Sequence, residues 1–423
     1  MTIHDSLGHA CSGATAQSLE HYELACSDFR CYINDPLAGA QKALESSPEM
    51  TMGHVLVAYL NLLGTEPAGL PAAREALQTA QALPADEREA MHLRAVAHLA
   101  NGRWHAAGLV LEDLSIRYPL DLLALQAGHQ VDFFTGHARM LRDRIARAEG
   151  AWHLGMPGYH AVQSMYAFGL EETGDYTRAE AVGRRAVALE PRDGWGWHAV
   201  AHVMEMQNRR RDGVTWLGAN TSTWSEGSFF AIHNWWHLAL FHLGLDEIDE
   251  VLKLVDARVL GTGSAVVLDM IDASAMLWRL HLRGIDVGNR WQALAERWSV
   301  LAEAGNYAFN DLHAMMAFVG ADRQADAQRL LATQARALQI DGDNAQFLCD
   351  VGRAATQAVH AFGGGRYAEA VQLLRPVRSK AYRFGGSHAQ RDVIDLTLIE
   401  AAERDGQKLF ADALKRERAA RWN

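Results

Sequence analysis

In "WHAVAHVMEMQNR", His198, His202 and Glu205 follow one another at i, i+4 and i+7. On a helix that spacing sets all three on one stripe, which Arg209 extends, and leaves Val200, Val203 and Met204 on the other side. Two imidazoles one turn apart can grip one divalent cation, for which zinc is a natural candidate. A carboxylate on the next turn completes three ligands and leaves a position open for water. A second pair, His233 and His237, sits in "HNWWHLALFH". There the wheel groups Trp236, Leu240 and Phe241 with the pair and sends Trp235, Leu238 and His242 to the opposite side. The plainer reading is that these rings bond to the preceding turn or to neighbouring helices, because a buried imidazole left unpaired costs about 1–3 kcal/mol. Neither pair matches the HExxH pattern of zinc peptidases.

Half of the 12 tryptophans crowd the same region: Trp195, Trp197, Trp216, Trp224, Trp235 and Trp236. They are wedges between irregular helices, or walls of a dry pocket that can also present ring faces to a cation. Two polar clusters start helices downstream. In "AFNDLHAMMAFVGADR", Asn310 or Asp311 is a natural N-cap, and His313 follows in the first turn, where the helix dipole disfavours a proton. In "FGGSHAQRDVIDLTLIE", Ser387 and Gln390 have capping-box spacing, with His388, Arg391 and Asp392 behind them. Such a glycine-rich start can bind an anion, with Arg391 as the clamp and Asp392 holding it, or the charged pair is an ordinary salt bridge.

These residues need helices to position them, and the chain supplies little else. Ala- and Leu-rich segments with three- and four-residue apolar spacing recur from about residue 53 onward, and no run alternates with period two. The clearest unit spans 160–193: a helix, a turn at Gly174-Asp175, and a second helix opened by Thr177 and Glu180 and ended before Pro191. Ala167, Ala179 and Ala186 fall where a tetratricopeptide repeat packs its helices closely, and a next unit begins at 194. The fold class expected is all-α, a tetratricopeptide-like α-solenoid of antiparallel helix pairs with irregular repeats. It runs over 51–423 after a partly helical N-terminal segment, 1–50.

The 423 residues carry a net charge of −11, which disfavours nucleic acid or an anionic membrane as partner. Cys11, Cys26, Cys31 and Cys349 form no CxxC, and no secretory or membrane-spanning pattern is present, so a reducing cytoplasm is expected. No Walker A, GxSxG or catalytic-cysteine signature occurs.

The segments "GWGWHAVAHVMEMQ", "HNWWHLALFHL", "NDLHAMMAFVGA" and "GGSHAQRDVIDLTLIEAA", in this order, resemble the tetratricopeptide repeat protein 38 family. The resemblance implies a divergent helical solenoid, soluble and cytoplasmic, and carries no established reaction with it. The leading expectation is a small-molecule cavity with His198, His202, His233 and His237 at its centre and Glu205 as metal ligand or general base. His313 and His388 are further proton carriers, and Trp195, Trp236, Asp311, Arg391 and Asp392 contact substrate. Such a site suits hydrolysis of a small amide or ester, metal-assisted or by histidine acid/base chemistry. The competing expectation is a non-enzymatic scaffold that binds a peptide or protein along a concave groove. The segment "TWSEGSFFAI" is a candidate homodimer surface.

Overall fold

The computed structural model describes residues 3–420 and is helical almost throughout, with one two-stranded hairpin, Ile3–His4 against Ala10–Cys11. The helices begin with α1 (Ala16–Cys31), α2 (Pro36–Ser46), α3 (Thr51–Leu62), α4 (Gly69–Gln81), α5 (Glu87–Ala100) and α6 (Trp104–Arg117). They continue with α7 (Leu122–Phe134), α8 (Ala138–Glu149), α9 (Tyr159–Glu172), α10 (Tyr176–Leu189), α11 (Gly194–Met206) and α12 (Arg210–Gly218). Then come α13 (Thr221–Ser225), α14 (Ala231–Gly244), α15 (Ile248–Leu254), α16 (Val267–Leu282), α17 (Arg290–Ser299) and α18 (Ala308–Gly320). The last six are α19 (Gln324–Ala337), α20 (Asp343–Phe347), α21 (Arg353–Gly363), α22 (Tyr367–Leu374), α23 (His388–Arg404) and α24 (Lys408–Ala419). The all-α expectation holds for the described residues.

The chain gathers into two compact units. The first comprises the described residues to Phe133 together with His137–Val203 and Leu217–Asn234. The second comprises Phe134–Gly136, Met204–Trp216 and the residues from Trp235 onward. Helices α1 and α2, from the N-terminal segment, belong to the first.

Local chemistry explains how the helices start and how close they come. Gly174, at φ +86, closes the turn after α9. The residue that caps α10 is Asp175, which accepts the Arg178 N–H, and not Thr177, which lies inside the first turn. Ala167, Ala179 and Ala186 are fully buried as the repeat pattern requires. A Cβ on Gly183 would come within 2.7 Å of Val200, so the absence of a side chain there lets α10 approach α11. Helix α18 departs from expectation: it begins at Ala308, whose N–H donates to Asn344 Oδ1 at 2.8 Å. Asn310 and Asp311 are thus residues of the first turn and do not cap it. At α23 the expected capping box forms, with Ser387 and Gln390 each bonding the other's backbone N–H.

Many hydrogen bonds join residues 33 to 36 positions apart. Thr51 reaches Pro84, Tyr59 reaches His92, Arg88 reaches Asp121, Trp152 reaches Pro119, His160 reaches Asp193 and Ala308 reaches Asn344. One of these sets is a buried relay in the first unit. Tyr59 O–H donates to His92 Nδ1 at 3.0 Å, since His92 Nε2–H faces Asp121 at 2.9 Å, and Arg88 meets the same Asp121 oxygen at 2.8 Å. Burial alone would raise the Asp121 carboxyl, but His92 and Arg88 outweigh it and hold the group well below the usual carboxylate range. Its folded-state affinity for protons is therefore below the unfolded one, and its stabilisation is complete at neutral pH and fades as acid protonates the carboxylate. Asp121→Asn is expected to cost about 3–5 kcal/mol in urea unfolding at neutral pH, and to cost less when the same measurement is made in acid.

Candidate functional site

Helix α11 is locked at its first turn before any chemistry is considered. Asp193 accepts the Gly196 N–H at 3.0 Å and takes His160 Nδ1 at 2.9 Å, and Trp197 Nε1 donates to the Pro191 carbonyl at 2.8 Å. Asn234 Nδ2 then donates to the Gly194 carbonyl at 3.1 Å, which fixes the start of α14 against the start of α11. These bonds set the rotation of both helices, and with it the direction of their histidines.

The result is a convergence of rings. His198 Nε2 and His233 Nε2 are 3.1 Å apart, and the ring centres of His198 and His202 are 4.3 Å apart. His198 and His202 are buried and His233 is half-buried. His237, one turn beyond His233 on the same helix, belongs to the second unit. Zinc–nitrogen bonds of about 2.0–2.1 Å in a tetrahedron place ligand nitrogens roughly 3.3 Å apart, so the His198–His233 spacing is close to that of two ligands sharing one ion.

Aromatic side chains wall the cluster in the first unit. Phe168 from α9 lies nearly parallel to His198 at 5.3 Å, Trp195 packs on it at 4.6 Å, and Phe230 meets it edge-on at 5.2 Å. Neutral imidazole is the form that ligates metal. A carboxylate does reach His202, but from a neighbouring helix: Glu171 Oε2 lies 3.3 Å from His202 Nδ1. Glu171, Glu172 and His202 also form a group with ligand atoms within 4.8 Å of one another. The Glu171–His202 approach is at ion-pair distance and does not have hydrogen-bond geometry, so the carboxylate acts on the imidazole through its charge.

No family model matches the chain.

The other residues singled out in the sequence belong to the second unit. Half-buried Glu205 lies among the charges of Asp392, Arg210, Arg279 and Arg418, and burial, then Asp392, raises its carboxyl above the ordinary range. Trp236 is fully buried, with the Arg279 guanidinium 5.4 Å from its ring centre. Asp311 receives Gln334 Nε2 at 3.0 Å, and burial pushes its carboxyl up to about 7. His313 is buried with Nδ1 on the Phe309 carbonyl at 2.8 Å, and burial more than any dipole pushes it down to about 4. His388 is exposed and 3.4 Å from Arg391, which donates to the Gly386 carbonyl. Asp392 makes a two-point pair with Arg418.

Sequence reasoning passed over Glu171, Glu172, Phe168 and His129. His129, on α7, is fully enclosed, edge-on to Phe168 and Trp195 at 5.8 Å each. Burial, then the nearby Arg144 charge, pushes it from 6.5 down to about 3. As pH falls between those values the unfolded chain takes up a proton that folded His129 refuses, so acid destabilises the wild type through this residue. His129→Phe, which suits the aromatic surroundings, is expected to lose less stability between neutral pH and pH of about 4.5 in urea midpoints, a flattening that follows from the lost proton uptake.

Proposed function

We propose that the chain is a tetratricopeptide-like α-solenoid protein, related to the tetratricopeptide repeat protein 38 family, that binds a small molecule at a metal-holding histidine cluster and hydrolyses an amide or ester there. The single observation that carries this reading is the meeting of His198 and His233 Nε2 at 3.1 Å beside His202, inside aromatic walls. The recurrence of bonds 33 to 36 residues apart supports the solenoid, since a tetratricopeptide unit is about 34 residues long.

In this reading His198, His202 and His233 are the ligands, and a fourth position is left open for water. Zinc suits neutral imidazoles and supplies a bound water acidic enough to attack near neutral pH. Glu171 lies at ion-pair distance from His202, and Glu172, grouped with them, would be the general base that takes a proton from the attacking water and returns it to the leaving amine or alcohol. A peptide-clamping scaffold is the weaker reading, because such a groove presents its polar side chains to solvent and His198 and His202 are enclosed. We place the protein in the cytoplasm: its four cysteines are free thiols, and among the described residues no helix is long and apolar enough to cross a membrane.

Elemental analysis of the purified full chain checks the metal. About one equivalent of zinc per chain is expected, falling to near zero in His202→Ala and His233→Ala while the far-ultraviolet circular dichroism stays helical. A wild-type protein reconstituted with zinc that retains no stoichiometric metal after desalting overturns the proposal.

A further inference from the structure

Trp195, in the first turn of α11, is buried among rings from other parts of the first unit. Tyr32, from the turn after α1, stacks on it at 5.7 Å, Phe168 lies at 4.8 Å, Phe230 at 5.4 Å and His198 at 4.6 Å. The segment that carries Phe230 is tied down by its backbone: Asn34 N–H donates to the Gly227 carbonyl at 2.8 Å and Phe229 N–H to the Tyr32 carbonyl at 3.0 Å. Tyr32, Trp195 and Phe168 are buried, Phe230 and His233 are half-buried, and Phe229 is exposed. The ring cluster therefore reaches solvent just before α14, beside the histidines.

Two polar atoms at this wall have no hydrogen-bond partner, and they differ in kind. One is a buried donor, Trp195 Nε1–H. The other is an acceptor, Oε1 of Gln130 on α7, whose Nε2–H donates to the Tyr32 hydroxyl at 2.9 Å. The network fixes which end of that amide is left over. Gln126 spends its Nε2–H on the Phe29 carbonyl at 3.0 Å, so its Oε1 is the atom that takes the Tyr32 phenolic proton. The phenolic oxygen is then the acceptor for Gln130 Nε2–H. An unused donor and an unused acceptor on either side of Tyr32 call for a group that offers both in return, because a buried polar atom without a partner bears the full cost of losing water.

The same surroundings disfavour charge. His129 lies 5.8 Å from Trp195, and burial, then Arg144, keep it neutral against a smaller opposing pull from the Leu141 backbone. Arg144 is itself matched to Asp132 at 2.7 Å. A carboxylate among these rings would shed its water with neither group to receive it.

We propose that Trp195, Gln130, Tyr32 and Phe230 form the pocket for the substrate itself, and that this substrate is an uncharged aromatic carboxamide. Its ring lies against Tyr32 and Phe230, its carbonyl oxygen accepts Trp195 Nε1–H, and its amide N–H donates to Gln130 Oε1. A carbonyl held by Trp195 is next to His198, whose ring centre is 4.6 Å from that of the indole. Calling the amide a substrate rests on the hydrolysis proposed at the histidine cluster, where it selects amide over ester; binding in the pocket needs no metal.

Isothermal titration of the chelator-treated full chain tests the assignment with benzamide, methyl benzoate, benzoate and acetamide as probes. Benzamide is expected to saturate, about tenfold tighter than methyl benzoate, which lacks the N–H, and than acetamide, which lacks the ring, while benzoate does not saturate. Gln130→Met should bring benzamide down to the level of methyl benzoate and leave the ester unchanged. Trp195→Phe, which keeps a ring, should weaken both by about tenfold, since both present the carbonyl. Should Trp195→Phe not fold, Gln130→Met decides alone. No saturation by benzamide, benzoate binding as tightly, or an unchanged preference for benzamide in Gln130→Met overturns the proposal. A chain that binds benzamide yet retains no zinc defeats the hydrolysis and leaves the pocket standing, whereas zinc retained without benzamide binding defeats the pocket alone.

Discussion

Two imidazole nitrogens held 3.1 Å apart cannot both point a proton at each other. One must offer a lone pair to the other's N–H, or both must offer lone pairs to something between them. That constraint governs the first unit, because the rings cannot swing away: His198 is pressed between Phe168, Trp195 and Phe230 at ring distances of 5.3, 4.6 and 5.2 Å.

The scaffold's contribution is angular precision. A helix that turned by one residue would send His198 and His202 to the wrong side. The Asp193 cap, the Trp197 bond to the Pro191 carbonyl and the Asn234 bond to the Gly194 carbonyl each resist such a turn from a different direction. Glu171 adds a further restraint at His202 from α9. In the second unit the same economy appears with a different outcome. Arg279 ties α16 to the first turn of α23 through the Ala389 carbonyl.

What could be read from the sequence followed the range of the interaction. The paired histidines were legible because i, i+4 spacing is local, and their meeting was legible because His198 and His233 lie 35 residues apart, close to the period of the helix pairs. The Ser387 and Gln390 box was legible for the same local reason. Partners supplied by other elements were not. Asn344, 36 residues away, caps α18 in place of Asn310 or Asp311, and Arg418, 26 residues away, pairs with Asp392. Glu171 and Glu172 carry no spacing signal in the sequence, and both are buried. His129 has no spaced partner to mark it.

The central claim is that the imidazoles of α11 and α14 share one metal ion. X-ray absorption at the zinc edge of the loaded full chain tests it most directly. The account predicts a first shell of nitrogen or oxygen at about 2.0–2.1 Å with outer-shell scattering from at least three imidazoles, reduced by one ring in His233→Ala. A sulfur shell near about 2.3 Å, or a shell without imidazole scattering, would contradict it.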